Sequence, residues 1–321
     1  MGADLFLSNA LERDAIRECL GSTLTKLTLA NISSLSDENL ENLFATFQSL
    51  SDIDLSGCLF DFNLTNVNLR RILTFPRFLS LWLFPANSRV PPLFKRCSAL
   101  EYLDVSSCFT SPKLLVNSVS SAFTQLTSLV LSGYSGLLDE DLNCILKGLA
   151  CCLKSLDISS CLNLTDVSLS SVCTYSPYLE TFVASWCRGF TDSGIRNFLF
   201  SLKHLKSVNL YGSVLLSVPS IAPQLHVLDI SRSSADDKTI EVLTTKLSNT
   251  LRELFVSGCE HLTDQALSSI LTNIPFLRTL DISFCPYISP KAVLLFKSSM
   301  PYLYYLKSIY VGSYLKSARV S

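Results

Sequence analysis

A phrase of the form Leu-x-x-Leu-x-Leu returns through the whole chain at a nearly constant interval, and a fixed period constrains the fold more tightly than any single motif. Its leading residues are Leu24, Leu50, Phe78, Leu100, Leu126, Leu153, Leu179, Leu205, Leu225, Leu251, Leu277 and Leu303. Successive gaps are 26, 28, 22, 26, 27, 26, 26, 20, 26, 26 and 26 residues; seven of the eleven are identical, so chance is excluded. The chain reads as about twelve units, the last of them degenerate.

Each unit carries its own structural instructions. The phrase alternates apolar and polar positions, as in Leu153, Leu156 and Ile158, and predicts a short strand with one buried face. A polar pair follows: Ser36-Asp37, Thr165-Asp166, Thr191-Asp192 or Thr263-Asp264. A hydroxyl that can cap a helix, followed by an acid in the first turn, predicts helix initiation there. Apolar residues then recur at helical spacing, as in Ile195, Phe198 and Leu199, and a proline such as Pro177, Pro223, Pro275 or Pro301 closes the unit. A unit of strand, turn, helix and turn cannot bury its apolar face alone, so neighbours must stack. The expected fold class is α/β, with a parallel sheet on the concave face and helices on the convex face. Residues 1–23 are read as an N-terminal capping helix, 24–302 as the repeat array, and 303–321 as the degenerate last repeat and C-terminal cap.

Six cysteines, Cys58, Cys108, Cys161, Cys187, Cys259 and Cys285, fall at one place in the repeat, just after the strand. Ile32, Ala86, Tyr134 and Ser213 fill that place elsewhere. A site that accepts Ile or Ala needs a buried group rather than a ligand, and free cysteine behaves as a small hydrophobe. Zinc is disfavoured because the chain has no CxxC pair and only three histidines, His204, His226 and His261. Disulfides between adjacent repeats are within reach at a strand spacing of about 5 Å, but the side chains would run parallel. Structural thiols are the expectation.

Composition narrows the function. Apolar residues make up 48% and charged residues 17% of the chain, which is core-forming material and not a disordered tract. The net charge is −1 and the densest basic group, Arg70, Arg71 and Arg77, is too thin for a nucleic-acid footprint. The longest uncharged run, Leu114 to Leu138, is broken by polar residues and is not a membrane span. The N-terminus lacks a secretory pattern, so the expected location is cytoplasmic or nuclear. Phosphate-binding, zinc-protease and nucleophile-elbow motifs are missing. Asp236-Asp237 are read as a helix start and Cys259 beside His261 as a buried thiol. No enzymatic activity, cofactor or metal is expected.

The segments LKSLDISSCLNLTDVSL (153–169), LRELFVSGCEHLTDQAL (251–267) and LRTLDISFCPYISPKAV (277–293) resemble the cysteine-containing class of leucine-rich repeats, and the resemblance runs from Leu24 to Leu303. Such repeats are found in F-box/leucine-rich-repeat proteins and in the antagonist-of-mitotic-exit-network type. The resemblance implies a right-handed horseshoe solenoid and substrate recognition for an SCF-type ubiquitin ligase. The 23 residues before Leu24 contain no LPxE-like F-box start, so an adaptor-binding part would be missing, relocated or supplied by another chain. Ala10-Leu11 through Cys19 approaches an elongin-binding pattern only loosely. A stand-alone inhibitor or assembly factor, in the manner of ribonuclease-inhibitor horseshoes, is the alternative.

A partner would meet the outward positions of the strands. The central one reads Thr28, Asp54, Trp82, Asp104, Val130, Asp157, Val183, Asn209, Asp229, Phe255, Asp281 and Lys307. The recurrent acids are read first as the usual wording of the repeat and second as an acidic stripe. Aromatic residues are better candidates, because exposed Trp, Tyr and Phe anchor interfaces. Trp82, Phe84 and Tyr102 are expected to cluster, with Val183, Trp186, Tyr211, Phe255 and Phe284 further along. The short intervals after Phe78 and Leu205 leave no room for a full helix and are expected to change the curvature.

Overall fold

The computed structural model describes residues 23–28, 47, 49–54, 78–80, 100–107, 116, 125–134, 136–149, 152–213 and 222–312. The chain divides into two compact units, Met1–Leu156 and Asp157–Ser321. The first holds strands β1 (Lys26–Thr28), β2 (Asp52–Asp54), β3 (Phe78–Ser80), β4 (Tyr102–Asp104) and β5 (Ser128–Val130), followed by helix α1 (Asp139–Gly148). The division falls within β6 (Ser155–Asp157). The second unit alternates α2 (Asp166–Tyr175), β7 (Thr181–Val183), α3 (Asp192–Ser201), β8 (Ser207–Asn209), β9 (Val227–Asp229), α4 (Asp237–Lys246), β10 (Glu253–Phe255), α5 (Asp264–Asn273), β11 (Thr279–Asp281), α6 (Pro290–Ser299) and β12 (Tyr305–Lys307). Within each unit, successive strands pair in parallel and in chain order.

The strands occupy the middle of the Leu-x-x-Leu-x-Leu phrase. Their central residues point inward and are buried, among them Leu103, Leu129, Leu156, Phe182, Val208, Leu254 and Leu280. The flanking apolar positions of the phrase, such as Leu153 and Ile158, are buried as well. Each such side chain contributes about 1.5–3 kcal/mol on leaving water. The helices answer with one apolar stripe each: Ile195, Phe198 and Leu199 on α3, and Leu267 and Ile270 on α5.

One frame differs from the sequence reading. Phe78 pairs with both Asp52 and Tyr102, and Ser80 with Asp54 and Asp104. The third phrase therefore begins two residues earlier, its neighbouring intervals are 26 and 24 residues, and Ser80 rather than Trp82 falls in register with Asp54 and Asp104. The cause is in the sequence: Phe78-Leu79-Ser80-Leu81-Trp82-Leu83 alternates throughout, and alternation with period two permits either frame. The segment after Leu205 expected to lack a helix, at 214–221, lies outside the described residues.

The polar pairs do more than start helices. Thr165, Thr191 and Thr263 cap α2, α3 and α5 by accepting from backbone N–H groups in the first turn, and Asp236 caps α4 in the same way. The acid after the cap then reaches the next repeat. Asp166 accepts from the Thr191 N–H (2.9 Å) and hydroxyl, Asp237 from those of Thr263 (2.9 and 2.6 Å), and Asp264 from those of Ser289 (2.6 and 2.7 Å). Each carboxylate thus fixes the start of the following helix as well as favouring its own. Asp192 instead pairs with Arg196 one turn along α3.

The cysteine column is buried at Cys161, Cys187, Cys259 and Cys285. The thiols of Cys187, Cys259 and Cys285 donate to the carbonyl oxygens of Ile158, Ile230 and Val256 in the preceding repeat, at 3.1, 3.4 and 3.2 Å. Ser213 takes the same place and donates to the Ala184 carbonyl at 3.5 Å. The position asks for a small side chain with one weak donor, which cysteine and serine both supply. Burial pushes the Cys187 thiol up to about 11 and the Cys285 thiol to about 12, and raises that of Cys259. Burial thus disfavours the thiolate at Cys259, two residues before His261 in the sequence.

Candidate functional site

The outward acids of the strands serve their own turns. Asp104, Asp157, Asp229 and Asp281 each accept, through one carboxylate oxygen, the backbone N–H two residues on, at Ser106, Ser159, Ser231 and Ser283 (2.8–2.9 Å). Asn209 does the same for Tyr211. These are side-chain-closed turns that bend the chain out of the strand. Asp281 is buried, and its second oxygen lies 3.4 Å from the Lys307 ammonium. Burial pushes the Asp229 carboxyl up, with a further push from Asp281. The serines pass the order on: Ser159, Ser231 and Ser283 hydroxyls accept N–H groups of Ser185, Ser257 and Ile309 one repeat later. The recurrent Asp-x-Ser wording is structural.

Immediately past these turns, among the described residues, one residue in each repeat adopts positive φ: Ser107, Gly133, Ser160, Trp186, Gly212, Arg232, Gly258, Phe284 and Tyr310, the last followed by a second, Gly312. The ladder demands it. The N–H groups of Ser160, Trp186, Gly212, Arg232, Gly258 and Phe284 each reach the carbonyl of the residue in the next repeat, Ser185, Tyr211, Ser231, Ser257, Ser283 and Ile309, at 2.7–2.8 Å. Glycine is suited to that conformation, and a side chain there costs about 1–2 kcal/mol. Trp186, Arg232, Phe284 and Tyr310 nonetheless stand at φ 60°, 54°, 59° and 57°.

The glycines between them make room. A Cβ on Gly212 would sit 2.6 Å from the Trp186 ring, and one on Gly258 would sit 3.1 Å from Cγ of Arg232. Trp186 and Arg232 thus each lie over the glycine of the next repeat, whereas Phe284 meets Tyr310 there. Trp186 meets Tyr211 edge-on, with centroids 5.2 Å apart. The Arg232 guanidinium stands 6.0 Å from both rings. Further along, Phe284 and Tyr310 lie 5.3 Å apart, 51% and 71% exposed. Contacts of this kind between exposed groups are worth about 0.5–1.5 kcal/mol, no more than the backbone cost of the conformations that hold them. The ladder imposes the conformation whatever the side chain, and these contacts at most offset the cost of placing a large one there, so stability does not explain the choice of Trp, Arg, Phe and Tyr.

Of the residues expected to face a partner, the structure brings Trp186 and Tyr211 together and leaves Phe284 exposed. Val183, Phe255, Tyr102, Asp104, Asp157 and Asp229 are half-buried. Tyr102 and Asp104 belong to the first unit and the others to the second. Trp82 and Phe84 lie outside the described residues. Arg232, Gly212 and Tyr310 were not anticipated. Their signal is the slot before the cysteine column, read as Ser-Trp-Cys, Tyr-Gly-Ser, Ser-Arg-Ser, Ser-Gly-Cys and Ser-Phe-Cys.

The chain resembles two solved structures along nearly all its length. The internalin inlF of Listeria monocytogenes superposes with a TM-score of 0.58 at 18% identity, covering 93% of this chain and 94% of that one. Rad7, from the crystal structure of the yeast Rad7 and Elc1 complex, superposes with a TM-score of 0.55 at 16% identity, covering 91% and 80%. The fold is an α/β leucine-rich-repeat solenoid. Among proteins compared by sequence, this leucine-rich-repeat chain is 26% identical to the DNA repair protein rhp7 of Schizosaccharomyces pombe, over 92% of this chain and 55% of that one. It is 25% identical to the BTB/POZ domain-containing protein FBL11 of Arabidopsis thaliana, over 89% and 33%. The leucine-rich-repeat chain therefore spans about half the length of the first relative and a third of the second. No family model matches it. Among the described residues no helix is long and apolar enough to cross a membrane.

Proposed function

We propose that this chain is a non-enzymatic protein-interaction scaffold that takes a protein partner on the outward face of its strands and the strip beside it, as the substrate-recognition part of an SCF-type or related cullin ubiquitin ligase. The observation that carries the docking surface is the contact of the Tyr211 ring with Trp186 and Arg232, two large side chains held at a position suited to glycine. Residues of these types dominate binding energy where they are clustered. The ligase context draws on the likeness to Rad7, solved in complex with Elc1, and to a BTB/POZ domain-containing relative. In this reading the described residues supply no constellation for catalysis, and the buried thiols of Cys187 and Cys285 stay protonated at neutral pH. It works in the cytoplasm or the nucleus.

Affinity purification from cells followed by mass spectrometry tests the pathway, run on the full chain and on a deletion of residues 1–23. Recovery of a cullin and its adaptor with the full chain is the expected result, and their loss on deletion would place adaptor binding in the first 23 residues. A single stoichiometric partner without ligase components would replace the ligase reading with that of an inhibitor or assembly factor.

A further inference from the structure

Arg232 is the member of the strip whose chemistry is unused. Its backbone N–H completes the ladder to Ser257, and its side chain stands over the Trp186 and Tyr211 rings. Among the described residues the guanidinium makes no hydrogen bond and no ion pair, although it is exposed. By contrast Arg196 pairs with Asp192, Lys206 with Glu180, and Lys307 with Asp281. The outward acids of these strands are engaged in their own turns: Asp229 accepts from Ser231 and Asp157 from Ser159. Both faces of the arrangement are determined by the chain. The rings and the glycine beneath Arg232 limit where the guanidinium can lie, and its fork of donors is left open to solvent.

A guanidinium placed beside the exposed Trp186 ring and the half-buried Tyr211 ring presents two chemistries within one short reach: a planar fork that matches a carboxylate, and an aromatic surface that takes an apolar side chain. Resting on the reading of the strip as a docking surface, we propose that Arg232 reads a carboxylate of the partner. The occupant is an extended protein segment in which an Asp or Glu stands beside an apolar or aromatic residue. The carboxylate pairs with the Arg232 guanidinium, and the neighbouring side chain lies on Trp186 and Tyr211. A single guanidinium fits a monoanion better than a doubly charged phosphate.

The test needs no knowledge of the natural partner. A phage-displayed library of random twelve-residue peptides is selected in parallel on the full wild-type chain, on Arg232→Gln and on Trp186→Ala/Tyr211→Ala. Peptides won on the wild type are expected to carry Asp or Glu next to an apolar residue, and those won on Arg232→Gln to lose the acid and keep the apolar residue. A synthetic wild-type consensus peptide should bind Arg232→Gln at least about tenfold more weakly, and changing its acid to the amide should cost the same factor on the wild type but nothing further on Arg232→Gln. Acid-free peptides from the wild type, equal acid enrichment on Arg232→Gln, or tighter binding of a phosphoserine version of the consensus would each overturn the carboxylate assignment while leaving the docking surface in place. Peptides whose binding is indifferent to Trp186→Ala/Tyr211→Ala, or no selected peptides at all, would overturn the docking surface and the carboxylate assignment together. Circular dichroism and urea midpoints of the three proteins verify that each is folded.

Discussion

Phe182→Ala should lower the unfolding free energy by about 4 kcal/mol, within the range of about 3–5 kcal/mol for removing a buried aromatic ring. Phe182 is the inward residue of β7, is fully buried, and packs against Phe198 of α3 with ring centroids 4.4 Å apart. The ring ties strand to helix within one repeat, and that repeat is the surface on which both neighbours stack. In a stacked array the loss is felt through two interfaces as well as within the unit. Domains are stable by only about 5–15 kcal/mol, so the effect is a large fraction of the whole. Urea denaturation measures it, with Phe182→Leu as the volume-sparing control, expected to cost well under half as much. A loss for Phe182→Ala below about 1 kcal/mol would mean that the site is open or collapses freely, and the packing described for this repeat would be wrong.

The second large effect is alkaline. Folding buries the thiols of Cys187 and Cys285 and raises them from 9.0 to about 11 and about 12. The folded state therefore holds its protons above the pH at which the unfolded chain releases them. Their contribution is complete below pH 9 and is lost progressively as pH rises through 9 towards 11 and 12. Each pKa unit corresponds to about 1.4 kcal/mol, so the pair together loses several kcal/mol across that window. Tyrosines and lysines titrate there too, and the comparison that isolates the thiols is with Cys187→Ser/Cys285→Ser. Serine keeps a donor for the carbonyls of Ile158 and Val256, as Ser213 does for Ala184, and it does not ionise. Urea midpoints measured from pH 8 to 11 should fall more steeply in the wild type than in the double variant. Parallel slopes would contradict the burial of these thiols.

The repeat period, the strand frames and the helix starts could be read from the sequence because each rests on local chemistry: alternation, a capping hydroxyl, an apolar stripe. The cysteine column followed from the substitutions tolerated at its place, and the burial of Cys161, Cys187, Cys259 and Cys285 agrees, Cys58 and Cys108 lying outside the described residues. Where local chemistry was ambiguous the reading slipped, as in Phe78 to Leu83, whose uninterrupted alternation hides which residues point inward. The roles of Asp166, Asp237 and Asp264 were half visible. Each was recognised as a helix-starting acid, but its bonds to the next repeat depend on a stacking offset that no single repeat displays. The strip was hidden for a related reason. Its positive φ comes from the ladder between repeats, so the slot accepts Gly, Ser, Trp, Arg, Phe or Tyr and offers no fixed letter to recognise. Trp186 and Tyr211 were chosen for being aromatic, and Arg232, the charge that lies between them and the next repeat, had no such mark.

The central claim is that this strip docks a protein, and the most direct measurement is quantitative partner recovery by Trp186→Ala/Tyr211→Ala against the wild type, expressed at equal levels in the same cells. Clustered aromatic anchors each contribute about 2 kcal/mol or more, so recovery of the principal partner should fall at least about tenfold, with far-ultraviolet circular dichroism and the urea midpoint close to those of the wild type. Full recovery of the same partner by a folded double variant would contradict the account.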